Sequence, residues 1–181
     1  MGDRCWGAVM LLAVPPAEVT AVIEVLEEYG LHDPNFVWSR ETLQPPPIKE
    51  VVLWDNYVDE EMSLGTIEQI ATQLIEKAPG TAFVAEDSVY GDWLASLIIY
   101  APHLGRYDAN TAGDGMPLFQ ADEVLRLVND DLTRYQLECR IGKPWTEWRD
   151  ARIADLAAIS KAEQEAEAAA KVESQLVVKA Q

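Results

Sequence analysis

Residues 6–14, WGAVMLLAV, form a continuous apolar run that ends at Pro15 and Pro16. A run of this length is typical of a buried strand rather than a helix. Residues 17–29 follow with apolar side chains at helical spacing, and Gly30 ends the predicted helix. A buried strand followed by an amphipathic helix indicates a domain built of layered sheet and helices.

The alternation of strands and helices continues along the chain. Residues 50–58 are rich in β-branched and aromatic side chains and predict a strand, and a helix opens at Ser63 or Gly65 and ends at Pro79. Further strands are predicted at 81–85, 93–100 and 106–109, and further helices at 121–129, 132–140 and from 145 to about 179. The order predicts an α+β fold, a single mixed or antiparallel sheet with helices packed on one face, plus a C-terminal helical extension.

The C-terminal segment differs in composition from the rest of the chain. Residues 160–171 contain no large apolar side chain, although their alanines and glutamates favour a helix. We therefore expect residues 1–144 to form the α+β domain and residues 145–181 to form a helix that is exposed or binds a partner. Val172 and Leu176 lie four positions apart, a spacing that suits contact with a partner helix.

The overall composition is that of a soluble globular protein. Apolar residues make up 49% of the 181 residues, and 31 acidic side chains against 14 lysines and arginines give a net charge of −17. This charge argues against broad binding to DNA, RNA or an anionic membrane. Two distant cysteines, no convincing signal sequence and no apolar run long enough to span a bilayer predict a cytoplasmic protein.

The acidic side chains concentrate in the first part of the chain. Residues 1–100 hold 17 acidic and 4 basic side chains, and the acidic clusters fall at the ends of predicted strands, which can meet along one rim of a sheet. The predicted partner-binding residues are Asp55, Asp59, Glu60, Glu61, Glu86, Asp87 and Asp92. Such a surface could imitate nucleic acid and capture a basic partner, or it could be a solvated face that keeps the protein soluble.

Motifs for catalysis or cofactor binding are weak, and we expect no cofactor, no metal and no catalytic residue. His32 and His103 lie in predicted turns and are expected to be exposed. Residues 108–114 begin like a calcium loop, but Phe119 stands where a bidentate glutamate is required. Paired carboxylates at Glu86-Asp87, with Asp92 and Asp55, leave a metal-dependent enzyme as the third hypothesis.

Cations and aromatic side chains gather between residues 126 and 149. The group consists of Arg126, Arg134, Arg140, Lys143, Arg149, Tyr135, Trp145 and Trp148. They could bind an anionic partner or the acidic part of a second copy, or they could be surface cations beside tryptophans that dock onto the sheet. The residues predicted for self-association are Trp145, Trp148, Val172 and Leu176.

One further pattern covers residues 81–128. It contains Glu86-Asp87, Trp93-Leu94, YAPHLGRYDA at 100–109, a Gly113-Asp-Gly115 turn followed by Pro117, and ADEVL at 121–125. This pattern resembles small uncharacterised proteins of actinobacterial bacteriophages. The resemblance implies a phage origin and assigns no catalytic residue. It favours an acidic, non-catalytic protein that binds a basic host protein, and secondly a virion or assembly component that self-associates through its C-terminal helix.

Overall fold

The computed structural model describes residues 4–36, 45–88, 94–111, 117–155 and 158. In chain order the elements are β1 (Arg4–Ala13), α1 (Val19–Glu28), β2 (Asn56–Ser63), α2 (Thr66–Lys77), β3 (Ala82–Asp87), β4 (Ala95–Ala101), β5 (Gly105–Thr111), β6 (Pro117–Leu118), α3 (Ala121–Asn129) and α4 (Arg134–Arg140), with a 3-10 turn at Pro16–Glu18. The strands form one sheet in the order β2-β1-β3-β4-β5-β6, and every neighbouring pair is antiparallel. The predicted α+β fold with a single sheet is confirmed.

Strand β1 is paired on both sides and buried on both faces. Cys5, Val9 and Leu11 point into the main core, while Ala8 and Leu12 are buried on the opposite face. This explains why the strand reads as an unbroken apolar run instead of an alternating one.

Helices α1 and α2 cover one face of the sheet, as predicted. α1 contributes Val22, Val25 and Leu26 to the main core. α2 adds an apolar stripe whose side chains recur about once per helical turn: Ile67, Ile70, Ala71 and Leu74. The two stripes have the spacing that places apolar side chains on one side of a helix.

The second strand lies later in the chain than the predicted range of 50–58. β2 begins at Asn56, and residues 50–55 run as an irregular segment in which Trp54 has a positive φ of 67°. The Trp54 backbone N–H donates to the carbonyl of Leu11 at 2.8 Å, and the Val52 N–H donates to the Tyr57 hydroxyl at 2.7 Å. The apolar residues before β2 are therefore held by single hydrogen bonds outside the strand ladder.

The segment after α4 packs on the other face of the sheet, against β5. The ring of Trp145 stacks on Tyr107 with centroids 5.4 Å apart, and its indole N–H donates to the Gly105 carbonyl at 3.0 Å. Gly142 has a φ of 73°, and a Cβ built there would lie 2.1 Å from Cζ of Tyr107. Gly142 is thus required both by its backbone conformation and by its contact with a ring that is already fixed.

Trp145 ends the first of two compact units of the chain. The second unit begins at Thr146, and its residues 146–155 are helical. The predicted division into 1–144 and 145–181 remains a prediction, because residues 159–181 lie outside the described part of the chain.

The contact of Gly142 with Tyr107 predicts a stability difference between two glycine substitutions. Gly30 has a similar φ of 76° but has open space around a built Cβ. We expect Gly30→Ala to lower the free energy of unfolding by about 1 kcal/mol, the cost of a left-handed alanine. Gly142→Ala should cost at least about 2 kcal/mol more, because the methyl group overlaps a stacked ring. Urea unfolding of both variants measures this difference, and equal losses would contradict it.

Candidate interaction surface

A β-bulge in β2 places successive carboxylates at the outer edge of the sheet. Met62 pairs with Cys5 and Asp59 pairs with Gly7, so Glu60 and Glu61 together stand opposite Trp6. The Asp59 carboxylate accepts a hydrogen bond from the Glu61 backbone N–H at 2.9 Å. A bulge re-aims the side chains of an edge strand, and here Glu60 and Glu61 are both exposed.

The loop after α1 brings a further carboxylate to this edge. His32 forms an isolated antiparallel bridge with Val58 of β2, and its backbone N–H donates to the Val58 carbonyl at 3.1 Å. Asp33 therefore lies beside the strand. Burial lowers the pKa of the His32 side chain, while the charges of Asp59, Glu60 and Asp33 raise it.

Tyr57 connects two more acidic residues to the same edge. Its hydroxyl accepts from the Val52 N–H at 2.7 Å and donates to the Glu50 carbonyl at 3.5 Å, which holds the preceding loop against β2. Burial raises the pKa of Tyr57, and the charges of Asp33, Asp55 and Glu50 raise it further. We call the resulting surface the acidic edge; it consists of Asp33, Glu50, Asp55, Asp59, Glu60 and Glu61.

Two described cations lie at the acidic edge. An Arg4 guanidinium N–H donates to the Glu61 backbone carbonyl at 2.5 Å, and Lys49 precedes Glu50 in the loop. A groove of about 400 Å³ in this loop region has Asp33 and Glu50 among its walls. Six carboxylates against two cations leave the edge strongly negative.

Of the predicted partner-binding residues, four belong to the acidic edge: Asp55, Asp59, Glu60 and Glu61. Asp87 does not join it, because its side chain is only 7% exposed and accepts from the Ser96 backbone N–H at 2.5 Å. Burial raises the pKa of Asp87, and the hydrogen bonds from Ser96 oppose that rise. Glu86 pairs with Ala8, on the face of β3 opposite to Asp87, and Asp92 lies outside the described residues.

The sequence reasoning missed Asp33 and Glu50, and it placed His32 wrongly. His32 is 4% exposed, although its turn motif predicted an exposed side chain. It packs edge-on against Phe36, with ring centroids 5.3 Å apart. The β-bridge between His32 and Val58 joins residues far apart in the chain, so no local sequence pattern predicts it.

The described structure includes two of the four residues predicted for self-association, and that role stays a prediction. Trp145 packs within the first unit, where it stacks on Tyr107 and donates a hydrogen bond to the Gly105 carbonyl. Trp148 lies in the helical second unit, and Val172 and Leu176 lie outside the described residues.

The groups considered for metal binding or nucleophilic chemistry can be located in the described structure. Within them, no group of three or more His, Cys, Asp or Glu side chains is arranged to hold a metal ion. Asp108, the first residue of the sequence resembling a calcium loop, lies in β5 and accepts from Arg106 at 2.9 Å. Cys5 is buried, and burial raises the pKa of its thiol, with Asp87 and Asp59 adding to the rise. That environment disfavours a reactive thiolate.

Comparison with known proteins gives no further assignment: no family model, curated protein or solved structure matches the chain. In the part of the chain that the structure describes, no helix combines the length and the apolar character needed to cross a bilayer.

The burial of His32 predicts a pH-dependent contribution to stability. Because its pKa is lowered in the folded protein, the unfolded chain binds a proton more readily as the pH falls through the ordinary value of 6.5. The free energy of unfolding of the wild type should therefore fall relative to that of His32→Gln between pH 7 and pH 5. Denaturant unfolding across this range tests the difference. His103→Gln, at an exposed turn, is the control, and an equal pH trend in both variants would contradict the prediction.

Proposed function

We propose that this chain is a non-catalytic interaction protein that binds a basic partner protein through the acidic edge. The observation that carries the proposal is the convergence of six carboxylates from β2 and two loops on one strand of the sheet. Because charges of one sign repel each other, such a concentration is costly unless solvent or a basic partner compensates it.

The charge density along β2 supports a partner that ordinarily binds nucleic acid. Each strand of duplex DNA carries one negative charge per about 3.4 Å of helix axis. Asp59, Glu60 and Glu61 place three carboxylates on a short stretch of β2, and Glu60 and Glu61 are both exposed at the bulge. A groove lined with lysines and arginines could accept either chain.

The resemblance of residues 81–128 to actinobacterial phage proteins supports a host protein as the partner. In that setting, a phage-encoded acidic protein would act in the host cytoplasm by occupying the nucleic-acid site of its target. Such binding depends on charge, so it should weaken as salt rises.

Charge reversal at the bulge tests this proposal. Glu60→Lys/Glu61→Lys should weaken binding to the captured partner by about tenfold or more, because two attractive charges become repulsive. Glu24→Lys/Glu76→Lys is the matched control, since both side chains are exposed on α1 and α2 and the net charge changes equally. The full chain serves as bait in an actinobacterial lysate at low and high salt, and the affinity for the purified partner is then measured.

The expected result is a basic nucleic-acid-binding protein that is retained at low salt, released at high salt and lost with the bulge variant only. Equal weakening by both double variants would show a general charge effect and contradict a site at the acidic edge. Recovery of the chain alone, as a salt-insensitive oligomer, would contradict the proposal and favour self-association.

A further inference from the structure

A second feature lies toward the other end of the sheet from the acidic edge. A cavity of about 480 Å³ lies between β5 and the helices α3 and α4, and its described walls belong to the first compact unit. Its volume is within the range of about 300–1,000 Å³ that is typical of small-molecule sites.

An aromatic pair forms one wall of this cavity. Tyr107 and Trp145 both line it, and their rings stack with centroids 5.4 Å apart. The hydrogen bond from Trp145 to Gly105 and the close approach of Gly142 fix both rings before any ligand arrives. A wall that is already ordered spares a ligand part of the entropic cost of binding.

Two arginines of the cavity have no charged partner among the described residues. Arg126 of α3 and Arg140 of α4 line it, and neither forms an ion pair within the described residues. Glu123 lies three positions before Arg126 on α3, a spacing at which salt bridges commonly form on a helix, yet the described structure shows no ion pair between them. Two guanidinium groups that line one cavity suit a phosphate or carboxylate, which they can bind in a bidentate manner.

The third lining arginine is already neutralised. The Arg106 guanidinium is bonded to the Asp108 carboxylate and to Glu68 of α2. Asp108 therefore does not oppose an incoming anion with a full charge.

One half-buried carboxylate lies near the aromatic wall. Glu123 lines the cavity. Burial raises the pKa of the Tyr107 hydroxyl, and the charge of Glu123 raises it further. A carboxylate there can accept a hydrogen bond from an N–H group of a ring bound against the aromatic wall. The remaining acidic residue of the lining, Asp130, is exposed.

We propose that this cavity binds a small aromatic phosphate of the nucleoside monophosphate class. Arg126 and Arg140 would hold the phosphate, Tyr107 and Trp145 would contact the base, and Glu123 would accept from a base amino group. The site is separate from the acidic edge and does not depend on the function proposed for it.

Calorimetric titration of the full chain with adenosine 5′-monophosphate tests the proposal. Arg126→Gln and Arg140→Gln should each lower the affinity by about tenfold or more, because each removes a charged hydrogen bond to the phosphate. Arg134→Gln is the matched control: it removes the same charge from α4, but its side chain pairs with Glu138 and does not line the cavity. It should leave the affinity within about twofold.

Two partial ligands separate the contributions of the aromatic ring and the anion. Adenosine and inorganic phosphate should each bind at least about tenfold more weakly than adenosine monophosphate, since each lacks one half of the contacts. The proposal is overturned if adenosine monophosphate does not bind at millimolar concentration, if inorganic phosphate binds equally well, or if Arg134→Gln weakens binding as much as the cavity variants.

Discussion

Burial of β1 on both faces is the constraint around which the described fold is arranged. Burying one valine or leucine side chain contributes about 1.5–3 kcal/mol, and Val9, Leu11 and Leu12 are all nearly inaccessible. Water must be excluded from both sides of the strand, and its backbone must find partners on both edges. Strands β2 and β3 supply the partners, and α1 and α2 cover the face that carries Val9 and Leu11. β2 has only one long neighbour among the described strands, and the acidic edge follows from that position.

The sequence predicted best those elements whose burial repeats along the chain. β1, α1 and α2 have regular apolar patterns, and the bounds of α3 match the predicted range of 121–129. β2 was misplaced because an edge strand needs few apolar residues: Tyr57 and Met62 suffice, and the bulge between them breaks the period of two. The two-residue strand β6 was not predicted, because Pro117 and Leu118 carry no alternating pattern.

The candidate surface was predictable only where its residues are neighbours in the chain. Asp59, Glu60 and Glu61 are consecutive, so their proximity needed no knowledge of the fold. Asp87 is the opposite case. A carboxylate at a strand end is expected to be exposed, but Asp87 is buried and accepts a hydrogen bond from the Ser96 backbone N–H. Asp33 and Glu50 reach the surface through a bridge at His32 and a hydrogen bond to Tyr57, both of which depend on the folded loops.

The bulge in β2 also affects the tendency of the protein to polymerise at high concentration. Exposed strand edges invite other chains to add a strand, which leads to polymers and fibrils. At Glu61, the backbone N–H is bonded to the Asp59 carboxylate and the carbonyl to Arg4, while the Val58 carbonyl is taken by His32. These groups are no longer open to an incoming strand, and the surrounding carboxylates repel a second copy. The protein is thereby protected from edge-to-edge polymerisation through β2, and recognition at this strand depends on side chains rather than on the backbone.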